Sequence, residues 1–281
     1  MAATRSFLFA PANRTELHAK LANSDADIVC LDLEDAVPPD EKEKSRALAL
    51  EWLGAGPPAR PTRAVRLNPL STRAGLADLH AASAASLTPD TLLVLPKVDH
   101  AHELRLADAV LTETGSRAGL MALIESAAGL ENAAMIAAAT PRLRLLLFGA
   151  ADLAAELGIE IAPEPLLYAR ARVVHAARTA GIPVIDVPSL NFRDIDAVEQ
   201  EARAARALGF AGKGAVHPCN IAPINAIFSP SSGEIAKAKK IIAAYEASPT
   251  GLAVIDGKLI ERPVIRSMRA TLEAARVAGL E

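Results

Sequence analysis

Two carboxylates stand just past the ends of apolar runs. Residues 120–124 (LMALI) are broken by Glu125, and Ser126, Ala127, Ala128 and Gly129 follow before a helical pattern resumes. Residues 143–148 (LRLLLF) are followed by Gly149, Ala150, Ala151 and then Asp152. Each stretch reads as a buried strand that delivers an acid near its C-terminal tip and hands the chain to a helix. Either acid alone fits a helix cap as well as a ligand. As a pair on two successive strand-to-helix units, they offer what a Mg²⁺ site on an α/β barrel requires. Arg66 lies almost at the end of another apolar strand, 63–67, before Asn68–Pro69. An arginine there must be paired, and the natural partners are Glu34 and Asp35, which follow the strand at 27–33. The pairing is either a structural ion pair or an anion clamp held by those acids. Lys97 ends the strand at 91–95, after Pro96. It reads as charge balance for carboxylates rather than as a Schiff-base amine, which needs an apolar pocket.

These groups need a scaffold that brings strand ends together. Eight apolar segments are legible, at 6–10, 27–33, 63–67, 91–95, 120–124, 143–148, 182–185 and 214–216. They alternate almost throughout with helical patterns at 15–22, 40–53, 75–87, 100–114, 131–139, 163–180 and 194–208. Most end in a polar residue, Asp186 and His217 among them, and His217 reads as a structural group. The expected fold is α/β, a (β/α)₈ TIM barrel with a C-terminal helical extension, its active site at the C-terminal ends of the strands. The barrel is expected over 1–228, with 153–165 as a longer excursion over its mouth. The extension, 229–281, holds helices at 234–247 and 263–278 around a turn at Asp256–Gly257. It could pack on its own barrel or on a neighbour's.

Bulk properties agree with one large barrel. The chain has 281 residues, against roughly 250 for this architecture. Hydrophobic residues make up 51% and aromatic ones 3%, so the core is built from Ala, Leu, Val and Ile. A net charge of −3 argues against a nucleic-acid surface. No apolar run approaches the ~20 residues of a membrane span, and the N-terminal apolar run is too short for a signal peptide. Cys30 and Cys219 have no metal-ligand spacing and suit a reducing compartment or burial. The expected location is the cytoplasm. Glycine-rich nucleotide fingerprints are absent from the sequence, which weakens dehydrogenase and kinase readings.

The stretches RSFLFAPANR, DIVCLDLEDAVPPDEK, VRLNPL, VLPKV, LIESAAGLENAAMIA, LLFGAADLAAELG and GFAGKGAVHPCNI run in order from residue 5 to about 225. This series resembles the HpcH/HpaI aldolase and citrate lyase β-subunit superfamily, specifically its acyl-CoA lyase branch. The resemblance implies a (β/α)₈ barrel, commonly a homotrimer, with Mg²⁺ held by Glu125 and Asp152. It implies Arg66 as the active-site arginine, with Glu34 and Asp35 bracing it. Lys97 is expected among the substrate-binding groups. Arg14 and Lys20, which spacing alone reads as solvated charges, match positions that contact coenzyme A. In several members of this family a neighbour's tail supplies an acid. Here LIERP stands where an MIDxP-like pattern is usual, so the matching residue is Glu261, with Asp256 as an alternative. The implied reaction is retro-Claisen cleavage of a malyl-, citramalyl- or citryl-type CoA thioester to acetyl-CoA and a 2-oxo acid. The alternatives are an aldolase on free 4-hydroxy-2-oxo acids and a subunit that needs an acyl-carrier protein.

Overall fold

The computed structural model describes residues 3–55, 61–247, 253–255 and 258–280. Eight strands close a barrel in chain order: β1 (Ser6–Pro11), β2 (Ile28–Asp32), β3 (Thr62–Arg66), β4 (Thr91–Leu95), β5 (Gly119–Ile124), β6 (Leu143–Phe148), β7 (Val184–Asp186) and β8 (Gly212–Ala215). All neighbours are parallel, and β8 returns to β1. The intervening helices are α1 (Thr15–Ala22), α2 (Lys42–Gly54), α3 (Arg73–Ala84), α4 (Ala101–Glu113), α5 (Ala127–Glu131), α6 (Ala133–Ala137), α7 (Ala150–Leu157), α8 (Leu167–Ala180) and α9 (Ile195–Leu208). This is a (β/α)₈ barrel, as the alternating pattern predicts.

Alternate strand residues fill its interior. Ile28 and Cys30, Leu92 and Val94, Met121 and Leu123, and Leu145 and Leu147 meet in one buried cluster with Phe7, Ala64 and Ile185. A strand's side chains repeat every two residues. The next step along this inward face reaches Asp32 on β2, Arg66 on β3, Glu125 after β5 and Gly149 after β6. The apolar core and the polar site are therefore successive layers of the same barrel.

Three local expectations need correction. Residues 153–157 continue α7, because AADLAAEL is rich in strong helix formers, and the helix stops at Gly158 in a left-handed conformation (φ 66°). The irregular excursion is thus 158–166. The helix expected over 131–139 is instead the pair α5 and α6, broken at Asn132. That side chain donates to the Asp99 carbonyl (2.8 Å) and lies 3.0 Å from His100 Nδ1. The seventh strand starts at Val184 rather than at 182.

The chain divides into two compact units, one being Thr4–Asn225 and the other built mainly from the segment starting at Ala226. After α10 (Ile221–Phe228), the second unit contains α11 (Ser232–Glu246), β9 (Ala253–Ile255), β10 (Lys258–Ile260) and α12 (Arg262–Val277). The two short strands pair antiparallel. Ile241, Ile260 and Ile265 form a small core against Tyr245, Val264 and Met268. The turn expected at Asp256–Gly257 lies outside the described residues.

Candidate active site

A cavity of about 480 Å³ opens at the C-terminal ends of the strands. Its lining includes the polar groups of Asp32, Asp35, Arg66, Glu125 and Asp152, with Gly149, and the apolar side chains of Phe9, Leu123, Val187, Pro188 and Val216. Glu125 and Asp152, 27 positions apart in sequence, share one chamber.

Arg66 has three acidic partners. Asp32 stands directly opposite it in the β2–β3 register. The Arg66 Nε and Nη2 groups donate to the two Asp32 oxygens at 2.7 and 2.6 Å. Glu34 Oε2 lies 2.9 Å from Nη1, whereas exposed Asp35 is 3.9 Å from Nη2. The main partner is thus Asp32; Glu34 pairs with Arg66 as expected from sequence, and Asp35 stands further off. Alternation carries the signal, since Asp32 follows Ile28 and Cys30 on the inward face. Asp32 also accepts the Glu34 N–H at 2.8 Å and so shapes the loop that presents Glu34. Burial pulls the Arg66 pKa down. The hydrogen bonds and charge of Asp32, with Glu34, outweigh that and hold it above the ordinary value.

Glu34 is buried, and neither of its oxygens has an aligned hydrogen-bond donor. It is balanced by charge alone, from Arg66 and from Lys97 Nζ at 3.4 Å. Burial pushes its carboxyl up, against the pull of Arg66 and Lys97.

Lys97 connects the two halves of the site. Its backbone N–H donates to Glu125 Oε1 at 2.9 Å, and its Nζ lies 3.8 Å from Asp152 Oδ1. Among the described residues it is the one non-glycine with left-handed φ, at 49°. That conformation costs a residue with a Cβ about 1 kcal/mol or more. Such strain gathers at functional sites. Burial lowers the ammonium's pKa, but Glu34, Asp152, Asp35 and Glu125 together hold it above its usual value.

Neither candidate acid, Glu125 or Asp152, is a helix cap. Ser126 caps α5 by accepting the Gly129 N–H at 3.0 Å. Gly149 occupies the cap position of α7, and Asp152 sits in that helix's first turn, where the dipole favours an anion. Gly149 is required by Glu125. A Cβ at 149 would lie 2.5 Å from the Glu125 Cβ and 2.8 Å from Oε2.

The charge balance suits a divalent cation. Asp32, Glu34, Asp35, Glu125 and Asp152 supply five carboxyl groups, against two cations from Arg66 and Lys97. Burial, then Glu34 and Asp152, push the Glu125 carboxyl up to about 8, while the Lys97 N–H and Arg66 oppose the shift. Oxygen donors in this number fit Mg²⁺, which takes few protein ligands and keeps waters or substrate oxygens. Among the described residues, no cluster of three or more His, Cys, Asp or Glu side chains could hold a metal by itself.

Other candidates lie elsewhere. Arg14 is exposed at the start of α1, 3.7 Å from Glu16, and Lys20 is exposed on the same helix. Neither lines the cavity. Glu261 is exposed at the start of α12, in the second unit. Asp186 lines a second cavity rather than the main one and pairs with Arg170 and Lys213. His217 stacks on Phe192 and accepts the Cys219 N–H at 3.2 Å, a structural arrangement.

Comparison with known proteins places this geometry. The chain is 37% identical to a (3S)-malyl-CoA thioesterase of Cereibacter sphaeroides, over 96% of this chain and 94% of that protein. It is 33% identical to an L-malyl-CoA/β-methylmalyl-CoA lyase of the same organism, over 97% and 95%. The solved structure of the protein CitE from Mycobacterium tuberculosis, in complex with magnesium, acetoacetate and coenzyme A, aligns with TM-score 0.81 at 31% identity, over 98% of this chain and 99% of that one. Residues 5–218 match the family model of HpcH/HpaI aldolase/citrate lyase, and the chain belongs to that family.

Proposed function

We propose that the chain is a Mg²⁺-dependent carbon–carbon lyase that cleaves a β-hydroxyacyl-CoA thioester of the malyl, citramalyl or citryl type into acetyl-CoA and a 2-oxo acid. The observation that carries this reading is the convergence of Arg66, Glu125 and Asp152 on one chamber at the strand ends. Similarity to a malyl-CoA lyase and to a structure holding magnesium and coenzyme A supports it.

Glu125 and Asp152 would hold the metal, which when bound supplies a Lewis acid and a template for the carboxylate and carbonyl oxygens of the 2-oxo acid. In the cleavage, a base takes the proton from the substrate hydroxyl, whose oxygen becomes the carbonyl of the 2-oxo acid as the C–C bond breaks; the electron pair of that bond becomes a thioester enolate, which takes a proton to give acetyl-CoA. Asp32 occupies two of the five N–H groups of Arg66. Glu34 Oε2 lies beside Nη1, and the outer N–H groups of this cavity-lining side chain would meet the enolate oxygen, which gains charge only as the bond breaks. Asp32 and Glu34 fix the guanidinium. Lys97 keeps the surrounding carboxylates compatible and offers an ammonium to the substrate's free carboxylate. Arg14 and Lys20 bind the charged end of coenzyme A. Glu261 of a neighbouring subunit in a homotrimer completes the site by proton transfer, with Asp256 as the alternative donor. A cytoplasmic location belongs to the same reading, since exposed Cys219 is a free thiol.

Thioester hydrolysis is the second reading, because the relative at 37% identity is named a thioesterase. One experiment separates the two. The purified chain is given malyl-, citramalyl- and citryl-CoA with Mg²⁺, and acetyl-CoA, free CoA and 2-oxo acid are measured separately. The lyase reading expects acetyl-CoA and 2-oxo acid in equal amounts. Free CoA with an intact hydroxy acid would make the chain a thioesterase. Turnover of free 4-hydroxy-2-oxo acids alone, or only with an acyl-carrier protein, would move it to another branch.

A further inference from the structure

Lys213, on β8, is 1% exposed and the mechanism does not use it. A buried lysine is costly unless paired and hydrogen-bonded. Its Nζ lies 3.3 Å from Asp186 Oδ2 and 3.0 Å from Glu201 Oε2, and donates to the Val187 carbonyl at 2.8 Å. Asp186 also accepts from Arg170 Nη2 at 2.9 Å. Glu201 reaches onward to accept the Ser189 hydroxyl at 3.1 Å. One buried ammonium thus ties together β7, β8, α9 and the segment that follows β7.

That segment is a partition. Val187 and Pro188 line the main cavity on one side and a second cavity of about 230 Å³ on the other. A wall between two cavities lacks tight packing behind it, and packing is what normally fixes a side chain. Its position therefore depends on polar ties and on one close contact. A Cβ at Gly214 would lie 2.7 Å from the Pro188 ring, so the ring rests directly on the β8 backbone.

We propose that Lys213 is a positioning residue that, with Glu201, holds the Val187–Pro188 partition and so sets how large a 2-oxo acid the site accepts. The specificity half of this proposal rests on the lyase reading. The anchoring half does not. Released, the partition can yield into the second cavity, which enlarges the main one.

The test uses Lys213→Met and Glu201→Ala in the full chain, with Glu201→Gln as the conservative variant that keeps an acceptor. Glu201 is 41% exposed, so its substitution leaves the fold testable if Lys213→Met does not fold. Amide hydrogen exchange is followed at residues 187–191, and condensation of acetyl-CoA is compared among glyoxylate, pyruvate and 2-oxobutyrate. Lys213→Met and Glu201→Ala are expected to speed exchange in that segment about tenfold. They are also expected to shift the kcat/KM ratio toward the larger acids by about tenfold, the value of one methylene in a packed pocket. Glu201→Gln is expected to remain near wild type in both. Unchanged exchange at 187–191, or a uniform loss of turnover with the size ratio intact, would overturn the proposal. If the wild-type chain condenses none of the acids, the lyase reading fails, and exchange still decides whether Lys213 anchors the partition.

Discussion

Arg66 reaches its partner straight across the β2–β3 ladder, and the shape of the pair matters more than its charge. Asp32 engages Nε and Nη2 together, a fork that an ammonium cannot reproduce. Arg66→Lys is therefore expected to keep the charge and lose turnover by about 10²–10³, the range for a removed transition-state donor. Steady-state kinetics would show the loss in kcat, with KM little changed. Glu125 gives a second prediction at this scale. Its carboxyl, ordinarily near 4.5, is pushed up to about 8 in the folded chain without a cation. Between those values the folded state keeps a proton that the unfolded state has released. The Mg²⁺-free protein must then lose stability as pH rises from about 4.5 through 8. Melting should be lower at pH 9 than at pH 6 without Mg²⁺. Glu125→Gln should flatten that difference, and a slope that survives in this variant would assign it to other groups. The residue types of Glu125, Asp152, Arg66 and Lys97 were legible in the sequence because each interrupts or follows an apolar strand. Asp32 was obscured by the acids just after it, and only the strand register makes it the partner of Arg66. Lys213 was obscured because GFAGK reads as a glycine-rich lead-in, and its partners Asp186 and Glu201 lie elsewhere in the chain.

At the level of elements, the strand-to-helix junctions carry the chemistry. The inward face of β5 ends in Glu125, and the matching step on β6 must be a glycine to leave it room. Gly149 has φ −107°, so alanine meets no backbone objection there, only the Glu125 side chain. Gly149→Ala is expected to weaken Mg²⁺ affinity about tenfold by displacing that carboxylate, while the fold is retained; at 2.5 Å one atom must shift. Calorimetric titration would read this directly, and wild-type affinity in the variant would mean that Glu125 is not held where the structure has it. The barrel strands were readable because buried parallel strands are continuous apolar runs. The segment after Asp152 was harder. Its proximity to the mouth suggested a loop, whereas its alanines and leucines dictate another turn and a half of helix. The break between α5 and α6 depends on Asn132 bonding to the Asp99 carbonyl from a distant part of the chain, which no local pattern encodes.

On the scale of the whole molecule, the barrel unit and the unit that follows it are each compact, and the polar cavity belongs to the barrel. The proposed homotrimer gives the second unit a task, since Glu261 would serve a neighbour's cavity. Mixed oligomers test this. Subunits carrying Arg66→Ala and subunits carrying Glu261→Ala are each expected to be nearly inactive alone and to regain activity when reassembled together. No recovery on mixing would confine the site to single chains. The family and the barrel were legible because motifs spread over most of the chain each mark a strand end. The two helices of the tail were legible as well; its catalytic acid was not, because LIERP departs from the usual pattern. The metal-dependent reaction rests on Glu125 and Asp152 gripping one divalent cation. The direct test is a Mg²⁺ titration by calorimetry at pH 8 of the wild-type chain, Glu125→Gln and Asp152→Asn, with circular dichroism to verify folding. The account predicts one site per chain in the wild type and none in either folded variant. Undiminished one-to-one binding by either variant would contradict it.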